Sequence, residues 1–119
     1  MEFKIDKSIP ICPQICDQIS AGIASGEFAP ETKLMSVREV AIKAGVNPNT
    51  VQRSFEQLEE QGLIYSVRGS GWFVGNNSFH AKKQIESLAM SKTRSYFSSM
   101  AQLGFSEDDV INYIKEWKK

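Results

Sequence analysis

Two helix-start signals stand eleven residues apart in the first half of the chain, and a stop signal lies between them. Ser36-Val37-Arg38-Glu39 has the Ser-x-x-Glu form of a capping box, in which each side chain satisfies a backbone amide left free at a helix start. Val37, Val40, Ala41 and Ala44 give the helix that follows an apolar face. Gly45 supplies the left-handed residue that ends it. Asn47 is a second N-cap, and Pro48 suits the first helical position, whose amide would go unpaired in any case. Two helices joined by so short a turn form a helix-turn-helix.

The rest of the pattern fits around that unit. Ile11, Ile15, Ile19 and Ile23 recur every four residues as the buried stripe of a preceding helix, expected from Pro10 to Ser25, with Gly26 as its stop. In the second helix of the helix-turn-helix, Val51, Phe55 and Leu58 share a narrow arc and leave Asn49, Gln52, Arg53 and Glu56 on the opposite side. After Gly62, Leu63 to Val67 reads as a strand and Trp72-Phe73-Val74 as its partner across Arg68-Gly69-Ser70-Gly71, a short hairpin or wing. Asn76-Asn77-Ser78 breaks the pattern, and a long helix carrying Ile85, Leu88, Ala89, Tyr96, Phe97 and Met100 follows. Gly104 ends it, and Ser106-Glu107-Asp108-Asp109 starts a last helix bearing Val110, Ile111, Tyr113, Ile114 and Trp117. The expected fold class is mainly α with a small β-hairpin. Residues 1–75 form a winged helix-turn-helix, and residues 76–119 form a two-helix appendage.

A chain of 119 residues has room for one ordinary domain with a short extension. Its 41% hydrophobic and 24% charged residues are those of a folded chain, outside the regime of disorder. Glu2, Lys4, Asp6 and Lys7 deny the start the character of a signal peptide, and no later apolar run reaches bilayer length. The expected location is the cytoplasm, with no membrane partner. Cys12 and Cys16 lie four apart on one helix face and read as small apolar packing residues. A metal site normally wants about four ligands, and the single histidine, His80, is far away in sequence, so no metal or other cofactor is expected.

Enzyme chemistry has little to stand on. There is no Ser-His-Asp ordering, no phosphate-cradling glycine loop before a helix and no ligand cluster, so no catalytic residue is assigned. Binding chemistry is better served. The formal net charge is zero, yet Lys33, Arg38, Lys43 and Arg53 make a local positive excess, to which Arg68 adds. Glu56, Glu59 and Glu60 form an acidic group expected to point away from a phosphate backbone. A helix-turn-helix lays its second helix in the major groove with its first residues on base edges. Asn49, Thr50, Gln52 and Arg53 stand there, and Gln, Asn and Arg can each make paired hydrogen bonds to a purine edge. A solvated polar face would look the same, and a winged helix used only for protein contacts is the rival reading. Arg68 beside Gly69 suits a minor-groove or phosphate contact, or simply a tight turn.

The segments Lys33 to Ala41, Gly45 to Arg53, Leu58 to Ile64 and Arg68 to Val74 together resemble the GntR family of bacterial transcriptional regulators. The resemblance covers about the first 75 residues. It implies a regulator that binds double-stranded operator DNA as a homodimer, with Ser36, Arg38, Asn49, Thr50, Gln52 and Arg53 facing DNA and Arg68 and Gly69 at the wing tip. Met35 stands where the family usually has proline and is expected to loosen the approach to the helix after Ser36. Trp72 stands where a small residue is usual, and it packs on the wing or leans toward the DNA backbone. The short appendage resembles that of the YtrA subfamily, which implies dimerisation and repression of an inverted-repeat operator. Ile85, Leu88, Tyr96, Phe97, Met100, Ile111, Ile114 and Trp117 are the expected interface, because two such helices cannot cover their own apolar faces. A small-molecule effector is left open.

Overall fold

The computed structural model describes residues 1–119. Its elements are α1 (Ile11–Ser25), α2 (Val37–Ala44), α3 (Pro48–Glu60), β1 (Ile64–Val67), β2 (Gly71–Val74), α4 (Ser78–Gln102) and α5 (Glu107–Glu116). They fall into two compact units, Met1–Ile85 and Glu86–Lys119.

The first unit is a winged helix-turn-helix. Ile15, Ile19 and Ile23 of α1 face Val40 and Ala41 of α2, Val51, Phe55 and Leu58 of α3, and Leu63, Ile64 and Val74 of the hairpin in one buried cluster. The isoleucine stripe thus forms the floor of the unit, as its spacing predicts. Ser36 caps α2 reciprocally with Glu39: Ser36 Oγ accepts from the Glu39 amide, and the Ser36 amide donates to Glu39 Oε1, both at 3.1 Å. The hydrogen bond donated by the Ser36 amide, with a contribution from its side chain, holds the Glu39 carboxyl below the usual carboxylate range. Gly45, at φ 68°, turns the chain out of α2 as only glycine does without strain.

Three features go beyond the sequence pattern. Lys33 forms an antiparallel bridge with Phe73, and Leu34 donates its amide to Trp72 O at 2.8 Å, so the segment before α2 runs along the free edge of β2. Trp72 is half-buried and meets Phe55 edge-on, with ring centroids 5.4 Å apart, which settles its role in favour of packing. Met35 is likewise half-buried against the core. The first unit also reaches past the expected boundary at residue 75, because Ala81, in the first turn of α4, is fully buried in the same cluster.

The second unit contains the remainder of α4, a turn through Gly104 at φ 92°, and α5, which Ser106 and Asp109 cap reciprocally. Val110 is its one buried residue. Phe105 and Tyr113 meet edge-on at 5.3 Å. Tyr96, Met100, Tyr113, Ile114, Glu116 and Trp117 line an open groove of about 680 Å³, in which Trp117 is 79% exposed. Of the residues expected at an interface, Tyr96, Ile111, Ile114 and Trp117 are exposed, while Ile85, Leu88, Phe97 and Met100 are half-buried.

Candidate nucleic-acid interface

Helix α3 is held by one face and free on the other. Val51, Ser54, Phe55 and Leu58 are buried, whereas Asn49, Gln52, Arg53 and Glu56 are exposed. Asn47 Oδ1 accepts from the Asn49 amide at 2.8 Å and fixes the helix start. Ser54 locks the helix to α1 from the buried side. Its hydroxyl, fully buried, lies 3.0 Å from Thr50 O and 3.2 Å from both Cys12 O and Cys12 Sγ, so its single hydrogen is shared among near neighbours. The polar face of α3 therefore cannot roll without breaking core contacts on the opposite face.

Each expected DNA-facing residue can be placed on this frame. Thr50 and Arg53 come together in a cleft of about 430 Å³ beside the start of α1, which Ile9, Pro10, Ile11, Cys12 and Gln57 also line. Gln52 Nε2 donates to Glu56 Oε1 at 3.3 Å. Ser36 is exposed, and its hydroxyl oxygen is engaged in capping while its O–H remains a donor. Arg38, one position into α2, is exposed. At the wing, β1 and β2 pair in the register Val67↔Gly71, which leaves Arg68, Gly69 and Ser70 as the tip. Gly69 has φ 82°, and a Cβ built there would meet nothing, so its glycine serves the turn and leaves open space in front of it.

The acidic group divides. Glu59 Oε2 accepts from the Ser66 amide at 3.4 Å and from Ser66 Oγ at 3.2 Å, tying the wing to α3. Glu56 instead shares the exposed face of Gln52 and bonds it, apart from the partner that Glu59 takes on the wing. Charge grouping along the chain put Glu56 with its sequence neighbours, whereas helical azimuth puts it with Gln52, one turn earlier.

Cationic side chains also border the site from outside α3. Lys33 runs along the base of the wing, where its Cε would lie 3.3 Å from a Cβ at Gly71. Lys7 brings its ammonium beside the Gly45 turn, 3.9 Å from the place a Cβ would occupy. Sequence reading passed over Lys7 because nothing local links the extended N-terminal segment to the α2–α3 turn. Burial pushes the Cys16 thiol up to about 12, so it stays protonated at neutral pH. Cys16 Sγ donates to Ser54 O at 3.4 Å, and the pair Cys12 and Cys16 packs α1 onto α3.

Residues 13–74 match the family described as bacterial regulatory proteins, gntR family. Among solved structures, the chain resembles a GntR family transcriptional regulator from Listeria monocytogenes at 36% identity and a TM-score of 0.79, over 94% of this chain and 98% of that one. It also resembles the DNA-binding domain of AraR, solved in complex with operator ORE1, at 30% identity and a TM-score of 0.55 over 63% of this chain and 94% of that one. Among characterised sequences it is 39% identical to the transcriptional repressor YtrA of Bacillus subtilis across 71 residues, which are 60% of this chain and 55% of YtrA. The expected YtrA-type likeness therefore stands. With the family pattern, the fold and the full-length structural likeness in agreement, the chain belongs to the gntR family of bacterial regulatory proteins.

Proposed function

We propose that this protein is a repressor that binds an inverted-repeat operator as a homodimer, each protomer placing α3 in the major groove and its wing tip against the adjacent backbone. The observation that carries the reading is the division of α3 into a buried apolar face and an exposed face of Asn49, Gln52, Arg53 and Glu56, with Arg68 and Gly69 at a nearby open tip. Arg53 is exposed on that face, where its guanidinium can reach a guanine edge or a phosphate. Ser36 and Arg38 reach phosphate from the start of α2 in this arrangement, while Asn49 and Thr50 at the start of α3 stand with Gln52 and Arg53 toward base edges. The AraR domain held on its operator and the repressor title of YtrA support the same assignment. The open groove of the second unit supports pairing of protomers there, because a neighbour's side chains would cover Tyr96, Ile114 and Trp117. No helix of the structure is long and apolar enough to cross a membrane, in keeping with work beside the chromosome in the cytoplasm.

Arg53→Ala tests this reading. Losing a base contact is expected to weaken operator binding by about 1–3 kcal/mol and to relax the preference at one base pair, with a smaller loss on random DNA. Titrations of both duplexes across a salt series measure it. Equal losses on operator and random DNA would reduce Arg53 to a phosphate contact, and affinity indifferent to salt would favour a protein-contact role for the winged unit.

A further inference from the structure

We propose that Glu56 is a positioning residue for base readout, holding the carboxamide of Gln52 in one of its two flip states and so narrowing the bases Gln52 accepts. The inference rests on the reading of α3 as the recognition helix. Gln52 and Glu56 stand one turn apart on its exposed face, with Gln52 Nε2 3.3 Å from Glu56 Oε1. Gln52 is the partner the Glu56 carboxylate meets, and neither the Met1–Glu27 nor the Glu116–Lys119 ion pair involves it. An ionised carboxylate only accepts hydrogen bonds. The end of Gln52 turned toward it must therefore be the NH2 group, because the opposite flip sets two oxygens against each other.

Held this way, Gln52 keeps Oε1 and its second Nε2 hydrogen for DNA. One acceptor beside one donor matches adenine, whose N6 donates and whose N7 accepts. Guanine shows two acceptors, O6 and N7, and would leave Gln52 Oε1 facing an oxygen or nothing. Without Glu56 the carboxamide turns freely and offers its NH2 group to guanine at no cost in lost partners. The carboxylate meanwhile repels phosphate on every duplex alike. Its cost is general, and its benefit falls on sites with adenine beneath Gln52.

The test uses the full-length protein and a duplex it selects from a random pool, together with versions carrying each base pair in turn at every position. Binding is measured for the parent protein, Gln52→Ala, Glu56→Ala, the double variant and Glu56→Gln, which keeps an acceptor oxygen at the same reach. The position read by Gln52 is the one at which Gln52→Ala loses its preference. There the parent should favour A·T, and Glu56→Ala should cut the A·T over G·C preference by about three- to tenfold. Its affinity for random duplex should rise. Glu56→Ala should change the base preference no further in the Gln52→Ala background, though it should raise affinity for every duplex there too, and Glu56→Gln should keep most of the preference. Full preference in Glu56→Ala, an equal loss in the absence of Gln52, or a Glu56→Gln variant as indiscriminate as Glu56→Ala would each overturn the proposal. If Gln52→Ala alone lost no preference at any position, Gln52 would not be a base reader and the proposal would fall, while the reading of α3 would still stand or fall with Arg53→Ala. Both residues are exposed, so thermal midpoints should be alike throughout and show that no variant acts through folding.

Discussion

Ending the chain after Ile85 is expected to leave a folded winged unit that sediments as a monomer and binds operator about 10²- to 10⁴-fold more weakly than the full chain. The cut is placed at Ile85 because Ala81 fills part of the core, so an earlier cut would open a cavity and confuse lost stability with lost pairing. What the cut removes is the second unit, with Tyr96, Ile114 and Trp117 around an open groove and a single buried residue, Val110. So little internal core argues that its apolar surface is meant for another protomer. Joining two winged units makes the second half-site contact intramolecular, which is the source of the expected gain. Analytical ultracentrifugation and operator titration check the two halves of the expectation. A truncated chain that remained dimeric would move the interface into the winged unit.

The second large effect lies in the core. Phe55 is fully buried where α1, α3 and the hairpin meet, and Trp72 leans on its ring edge-on. Phe55→Ala should destabilise the winged unit by about 3–5 kcal/mol. A unit of this size has a total stability of only about 4–13 kcal/mol. Urea unfolding followed by tryptophan fluorescence reads the loss, and the emission should shift as Trp72 loses its neighbour. Glu60→Ala, an exposed change at the end of the same helix, should move the midpoint by no more than about 0.5 kcal/mol. If the two variants unfolded alike, the hairpin would not be anchored on α3 as its packing indicates.

Features encoded within a few residues were legible in the sequence. The Ser36–Glu39 cap, the Gly45 exit from α2, the isoleucine stripe of α1 and the glycine-flanked hairpin each follow from neighbours a turn or less apart, and all are present, the wing tip being one residue shorter than expected because Gly71 already pairs with Val67. Contacts between distant segments were not legible. Trp72 meeting Phe55 depends on how the hairpin folds back over α3, and the Lys33–Phe73 bridge joins segments forty residues apart, after an exposed Glu31 at φ 66°. Residue type alone predicts neither. Glu56 shows a third kind of failure. The helical period already placed it beside Gln52, but reading charge along the chain assigned it to an acidic group whose members serve different neighbours. In the same way, the apolar residues of the last two helices were visible as a set, while their split into half-buried and exposed members was not.

The two-sided construction of α3 bears on how such regulators diversify. Val51, Ser54, Phe55 and Leu58 carry the folding energy, while Asn49, Gln52, Arg53 and Glu56 carry almost none of it. A duplicated gene can therefore exchange its exposed residues one at a time, each change costing within about 0.5 kcal/mol of stability. Every ancestor along such a path remains a folded protein, so a new copy can drift away from its parent's binding site and acquire another without passing through a form the cell would degrade.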